Sequence, residues 1–139
     1  MELIKELPAL GRDLGPGLIL IGLTSLAAIL VGCLFEEWET LPWMATATVS
    51  LCGIGLLLRF LPKTSKVPRT STSIAATALV WVIVGLCGSL PFLFTGMPFI
   101  DAAFESMSAW TGTGFSIAED IEAWPKTLLF WRSFMQWVG

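Results

Sequence analysis

Three long stretches of this chain carry no charge: 22 positions from Leu14 to Phe35, 19 from Thr40 to Leu58 and 31 from Thr70 to Ile100. A hydrocarbon core about 30 Å thick is crossed by roughly 20 apolar residues in a helix, so each stretch is near or above the length of a span. Only 14% of the residues are charged, against roughly 25% in soluble domains, so the chain is expected to be an all-α, polytopic membrane protein. The third stretch is too long for one straight helix. Pro91, Gly96 and Pro98 near its far end predict that the span closes around Phe94 and hands over to a re-entrant segment.

The loops set the orientation. Arg59, Lys63, Lys66 and Arg69 separate the second and third stretches with no acid among them, whereas Glu36, Glu37 and Glu39 follow the first with no base. Basic loops stay on the cytoplasmic side, which puts residues 59–69 and the N-terminus in the cytoplasm and residues 96–125 outside the cell. Trp38 and Trp43 then fall at the outer interface, where amphipathic rings are favoured. Leu3, Ile4, Leu7, Leu10 and Leu14 recur at helical spacing, so residues 1–14 read as a short interfacial helix on the inner leaflet or as a frayed terminus. A signal peptide does not fit. Glu2, Glu6 and Asp13 outnumber Lys5 and Arg12, and the apolar stretch is longer than a signal requires.

Several function classes are excluded. Cys33, Cys52 and Cys87 sit singly in separate apolar stretches, with no C-x-x-C pair and no histidine in the chain, so neither a transition-metal site nor a thiol redox pair is expected. Neither H-E-x-x-H nor G-x-S-x-G is present, and Gly112-Thr113-Gly114 lacks the third glycine of a dinucleotide fingerprint. The expectation is a protein that is not an enzyme, holds no covalent cofactor and has no nucleic-acid partner.

Residues 98–110 are predicted to form a helix too short to span. From Phe99 to Trp110 it would run roughly 18 Å at 1.5 Å per residue, about half a membrane. Pro98 suits a first helical position, and Asp101 and Glu105 in the early turns favour the positive end of the helix dipole. The opposite end then presents partial negative charge near Trp110 and Thr111, which stabilises a cation there. The run that follows, Thr111-Gly112-Thr113-Gly114-Phe115, reads as an ion-selectivity loop. Such loops replace an ion's hydration shell with backbone carbonyls facing one axis. Glycines at alternate positions, Gly112 and Gly114, admit the positive φ angles that this requires. An ordinary flexible turn is the bland reading of the same residues.

The run from Asp101 to Ser116, followed by Leu128-Leu129-Phe130-Trp131-Arg132-Ser133 and Gln136-Trp137-Val138-Gly139, resembles the first pore repeat of the TrkH/KtrB/HKT potassium-transporter superfamily, closest to its TrkH members. That resemblance implies an N-terminal region, residues 1–69, with two transmembrane helices, and a first pore repeat, residues 70–139. The repeat would comprise a transmembrane helix, the pore helix 98–110, the filter 111–115 and the start of a second transmembrane helix, 126–139. It implies potassium as the transported ion, with the carbonyls of Gly112, Thr113 and Gly114, joined by Thr111 and Phe115, giving one quarter of a filter. Gly114 matches the filter glycine tied to potassium preference, whereas Gly112 departs from the Thr frequent at its position. The resemblance also implies a homodimer in the cell membrane and a separate cytosolic nucleotide-binding ring.

Other residues have plainer readings. Glu119, Asp120 and Glu122 either focus cations at an outer mouth or form a solvated loop. Arg132, roughly 9 Å into the last helix, needs a partner, for which Glu105 and Asp101 are candidates, in a structural pairing rather than a gating role. Ala28 and Gly32 suit close helix packing. Two other functions stay open: a small pore-loop potassium channel assembling as a homotetramer, and a non-conducting membrane scaffold. The last helix is too short to cross a bilayer, so the 139 residues are expected to be part of a larger unit.

Overall fold

The computed structural model describes the backbone of residues 2–61 and 70–139, with side chains from Leu14 onward. Lys63, Lys66 and Arg69 of the expected cytoplasmic loop lie outside the described residues. Among the described residues five α-helices follow in order, α1 Glu2–Leu34, α2 Leu41–Arg59, α3 Thr70–Ser89, α4 Phe99–Trp110 and α5 Lys126–Val138, with 3-10 turns at Trp38–Thr40 and Leu90–Thr95. No strand occurs among the described residues. Among the described residues, three segments are long and apolar enough to cross a membrane, Leu14–Leu34, Trp38–Arg59 and Thr70–Thr95. Leu20, Leu30, Val49, Leu57 and Ile74 on these helices are exposed, as side chains facing lipid would be.

The interfacial helix expected over residues 1–14 is not separate. Helix α1 runs unbroken from Glu2 through Gly15, Pro16 and Gly17. Contact with α2 holds this stretch: a Cβ on Gly15 would lie 2.6 Å from the Gly55 carbonyl oxygen, and one on Gly55 would lie 2.7 Å from that of Gly15. Further along the same face, the Cys52 thiol donates to the Ile19 carbonyl at 3.8 Å and the hydroxyls of Ser25 and Thr48 bond to each other. Ala28 is fully buried, and Gly32 meets Leu41 and Thr127. Small residues let the two backbones approach, which is how apolar helices gain van der Waals energy without a hydrophobic drive between them.

Helix α1 ends in a Schellman turn made without glycine. The amide of Glu37 donates to the Gly32 carbonyl at 2.9 Å and that of Glu36 to Cys33 at 3.3 Å, with Glu36 left-handed at φ 58°. The turn brings the Glu37 side chain back over the bundle.

The third span closes where the prolines and glycine predict. Pro91 lies in the first turn of the 3-10 segment Leu90–Thr95 that follows α3, and Gly96, at φ 81°, reverses the chain into α4. Helix α4 starts at Phe99, with Pro98 as the N-cap rather than the first helical residue, because its ψ of 150° is extended. A Cβ on Gly85 would collide with Met107 and one on Gly88 would sit 2.7 Å from Trp110 Nε1, so α3 and α4 touch along these two glycines. Trp110 and Trp131 cross edge to face with centroids 6.1 Å apart, and the Trp131 indole donates to the Gly88 carbonyl at 3.1 Å. Both rings are buried, so α3, α4 and α5 share one aromatic core directly behind the loop 111–115.

Candidate ion-selectivity loop

The loop after α4 is built by its own amides. The N–H of Thr111 donates to Met107 at 2.9 Å, that of Gly112 to Ala109 at 3.0 Å, and those of Thr113 and Gly114 to Ser108 at 3.1 and 3.2 Å. In a trans peptide the carbonyl of one residue points opposite to the N–H of the next. With every described peptide trans, the amides of Gly112, Thr113 and Gly114 facing α4 turn the carbonyls of Thr111, Gly112 and Thr113 away from it. No donor among the described residues reaches those three oxygens, and residues 111–115 are exposed.

The alternate glycines permit this path. Gly112 has φ 68° and Gly114 φ 74°. Such angles cost an L-residue about 1–2 kcal/mol. Space is not the constraint: a Cβ on Gly112 would meet nothing within 4 Å, and one on Gly114 only Gln136 Nε2 at 3.8 Å.

Side chains fix the loop from behind. The Thr113 hydroxyl lies 3.0 Å from the Ser108 carbonyl and 3.2 Å from the Ser108 hydroxyl, which in turn donates to the Phe115 carbonyl at 2.6 Å. The Thr111 hydroxyl donates to Met107 at 2.8 Å. Arg132 on α5 reaches the same segment, its Nη2 donating to the carbonyls of Gly114 at 2.9 Å and Phe115 at 3.2 Å. The Phe115 oxygen therefore already accepts two donors, the capacity of a carbonyl.

Glu105 is the partner of Arg132, and Asp101 is not. Arg132 Nε lies 3.1 Å from Glu105 Oε2, and the carboxylate side chain is fully buried. Its other oxygen accepts from the Ser116 hydroxyl and from the Ile117 amide, the latter at 2.8 Å. One carboxylate thus ties α4 to the outgoing arm of the loop and to α5. Asp101 occupies the first turn of α4, where it complements the dipole. Between the loop and α5, Asp120 accepts from the Ala123 amide at 3.2 Å, a local turn, and Glu119 and Glu122 are exposed.

A second carboxylate completes the frame, one that the sequence marks only by its charge. Glu37 accepts from the amides of Lys126 and Thr127, each at 2.8 Å, and from the Thr127 hydroxyl at 2.6 Å. It caps α5 from the far side of the fold, since the N-cap itself is Pro125, which offers no side-chain bond. Partial burial pushes its carboxyl up, but the Thr127 hydroxyl, the two amides and the nearby Lys126 charge together hold it below the usual value. Ser108, Ser116 and Glu37 are the framing residues that residue patterns did not single out. Proline at a helix N-cap was the available signal for Glu37, because it leaves the first amides needing an acceptor from elsewhere.

Comparison with known proteins agrees with this architecture. The family model for TrkH, described as a cation transport protein, matches residues 43–139. The chain belongs to the TrkH family. It is 36% identical over 132 residues to the Trk system potassium uptake protein TrkH of Vibrio parahaemolyticus, covering 92% of this chain and 27% of that protein. It is 33% identical over 138 residues to an uncharacterized cation transporter of Methanocaldococcus jannaschii, covering 97% of this chain and 28% of that one. The crystal structure of the potassium transporter TrkH from Vibrio parahaemolyticus superposes with a TM-score of 0.83 at 30% identity, over 94% of this chain and 28% of that one. The chain therefore spans just over a quarter of the length of the TrkH relatives it matches.

Proposed function

We propose that this chain supplies the N-terminal helix pair, residues 1–69, and the first pore repeat, residues 70–139, of a potassium-uptake transporter. The observation that carries the reading is the direction of the loop carbonyls: Thr111, Gly112 and Thr113 turn theirs away from α4, because the amides of Gly112, Thr113 and Gly114 are bound to it. Three unpartnered oxygens in succession at the C-terminal, negative end of a short helix form a ligand set for a dehydrated monovalent cation. Gly114 adds the second lone pair of its carbonyl, the first being held by Arg132. Conduction on this reading involves no covalent chemistry.

One such arc gives a quarter of a ring, and the remainder belongs to further repeats of the same polypeptide. The loop enters from outside the cell and the N-terminus is cytoplasmic, a reading that rests on the basic residues between α2 and α3. The transporter works as a homodimer in the plasma membrane on a separate cytosolic nucleotide-binding ring, as its family membership suggests.

Rubidium and sodium uptake by the full natural gene product tests the filter. Gly114→Ser forces an L-residue to φ 74°, so the preference for rubidium should fall by about tenfold. An unchanged preference would reject the carbonyl assignment. Orientation is checked separately, with Ser65→Cys and Glu119→Cys in a background free of native cysteines. An impermeant thiol reagent should reach them from opposite sides.

A further inference from the structure

We propose that Glu37 is a positioning residue for the loop 111–115, acting through helix α5. The inference rests on the filter reading and goes beyond it in giving the N-terminal helix pair a part in selectivity. Three contacts carry it. Glu37 holds the first two amides of α5 and the Thr127 hydroxyl at 2.6–2.8 Å, across 89 and 90 residues of sequence. The Schellman turn holds Glu37 in place, with Glu36 left-handed to make it. Gly32 leaves the room that Thr127 occupies, since a Cβ there would sit 2.8 Å from its hydroxyl oxygen.

Helix α5 transmits the constraint. Arg132 lies six residues beyond Lys126, roughly 9 Å along a hydrogen-bonded rod, and grips the carbonyls of Gly114 and Phe115. The Lys126 ammonium lies 4.1 Å above the Phe35 ring, a second link between the end of α1 and the start of α5. The axial position of α5, and with it the depth at which Arg132 meets the loop, is set by the α1–α2 turn. Releasing the cap lets α5 shift without removing any group that touches the ion.

The test measures rubidium and sodium uptake, normalised to protein in the membrane, for the full natural gene product. Glu37→Gln and Thr127→Val should each lower the rubidium-to-sodium ratio by about threefold, as weakening of a charge-assisted cap predicts. Thr127→Ser, which keeps the hydroxyl, should preserve the ratio, and the double variant Glu37→Gln/Thr127→Val should be no worse than either single one. Gly114→Ser serves as the reference. A ratio that moves with Gly114→Ser but not with Glu37→Gln overturns the positioning role and leaves the filter reading standing. A ratio that moves with neither overturns both. If Glu37→Gln does not accumulate, the Thr127 pair decides, and equal ratios for Val and Ser overturn the proposal.

Discussion

Arg132 and Glu105 meet with Nε 3.1 Å from Oε2, while the other arm of the same guanidinium bonds the carbonyls of Gly114 and Phe115. A planar, forked donor set makes this double engagement possible, and an ammonium has no equivalent geometry. Arg132→Lys should therefore keep the charge but lose one of the two attachments, giving reduced uptake with protein still present in the membrane. Arg132→Gln leaves a fully buried carboxylate without its cation, and should cost about 3–5 kcal/mol. Thermal unfolding of the purified protein in detergent ranks the two variants, and a Gln variant as stable as the parent would contradict the pairing.

Thr113 separates the roles of hydroxyl and carbonyl. Its hydroxyl bonds to Ser108 behind the loop, on the side away from the open oxygens. Thr113→Ser should retain selectivity, and Thr113→Val should lose about 1 kcal/mol of loop stability, seen as a moderate fall in rubidium uptake. Complete loss of uptake in Thr113→Val would indicate that the hydroxyl itself meets the ion.

Two neighbouring glycines should behave oppositely. Gly15→Ala would press a methyl against the backbone of α2, 2.6 Å from the Gly55 oxygen, and should destabilise by about 1–3 kcal/mol. A methyl added at Gly17 would meet nothing within 4 Å, so Gly17→Ala should be neutral or stabilising by up to about 1 kcal/mol. Melting temperatures of the two variants, measured side by side, check the direction of each.

The Glu37 cap has a pH signature. Its carboxyl is held below the usual glutamate value of 4.5, so folding favours the ionised form. The contribution is fully present above that value and is lost as pH falls through the lowered one. Lys126 faces it from α5, and Glu36, Glu39 and Glu122 line the same cleft. Thermal stability of the parent should fall on acidification below about 4.5 more steeply than that of Glu37→Gln. Parallel acid profiles would show that the cap contributes nothing.

Much of the fold was readable from residue patterns because its signals are local. Missing charge marks the spans, and Pro91, Gly96 and Pro98 mark the reversal into α4 within a few residues of where it occurs. The positive φ angles at Gly112 and Gly114 follow from the same kind of evidence. What could not be read was relational. The choice of Glu105 over Asp101 depends on how α5 rotates against α4, and Glu37 looks like any loop acid until the fold brings Thr127 beside it. Likewise the bonds that Ser108 and Arg132 make to the Phe115 carbonyl depend on how the loop folds back between α4 and α5, which no side-chain identity encodes.

The amides that bind the loop to α4 have a consequence for its motion. Residues 111–114 lie open to solvent, yet their amide hydrogens are engaged with Met107, Ala109 and Ser108. To exchange with deuterium they must first leave the end of the helix, so the loop should exchange as part of α4 rather than as a surface turn. On the proposed reading, the oxygens offered to an ion are carried by a segment tied through its amides to the end of α4.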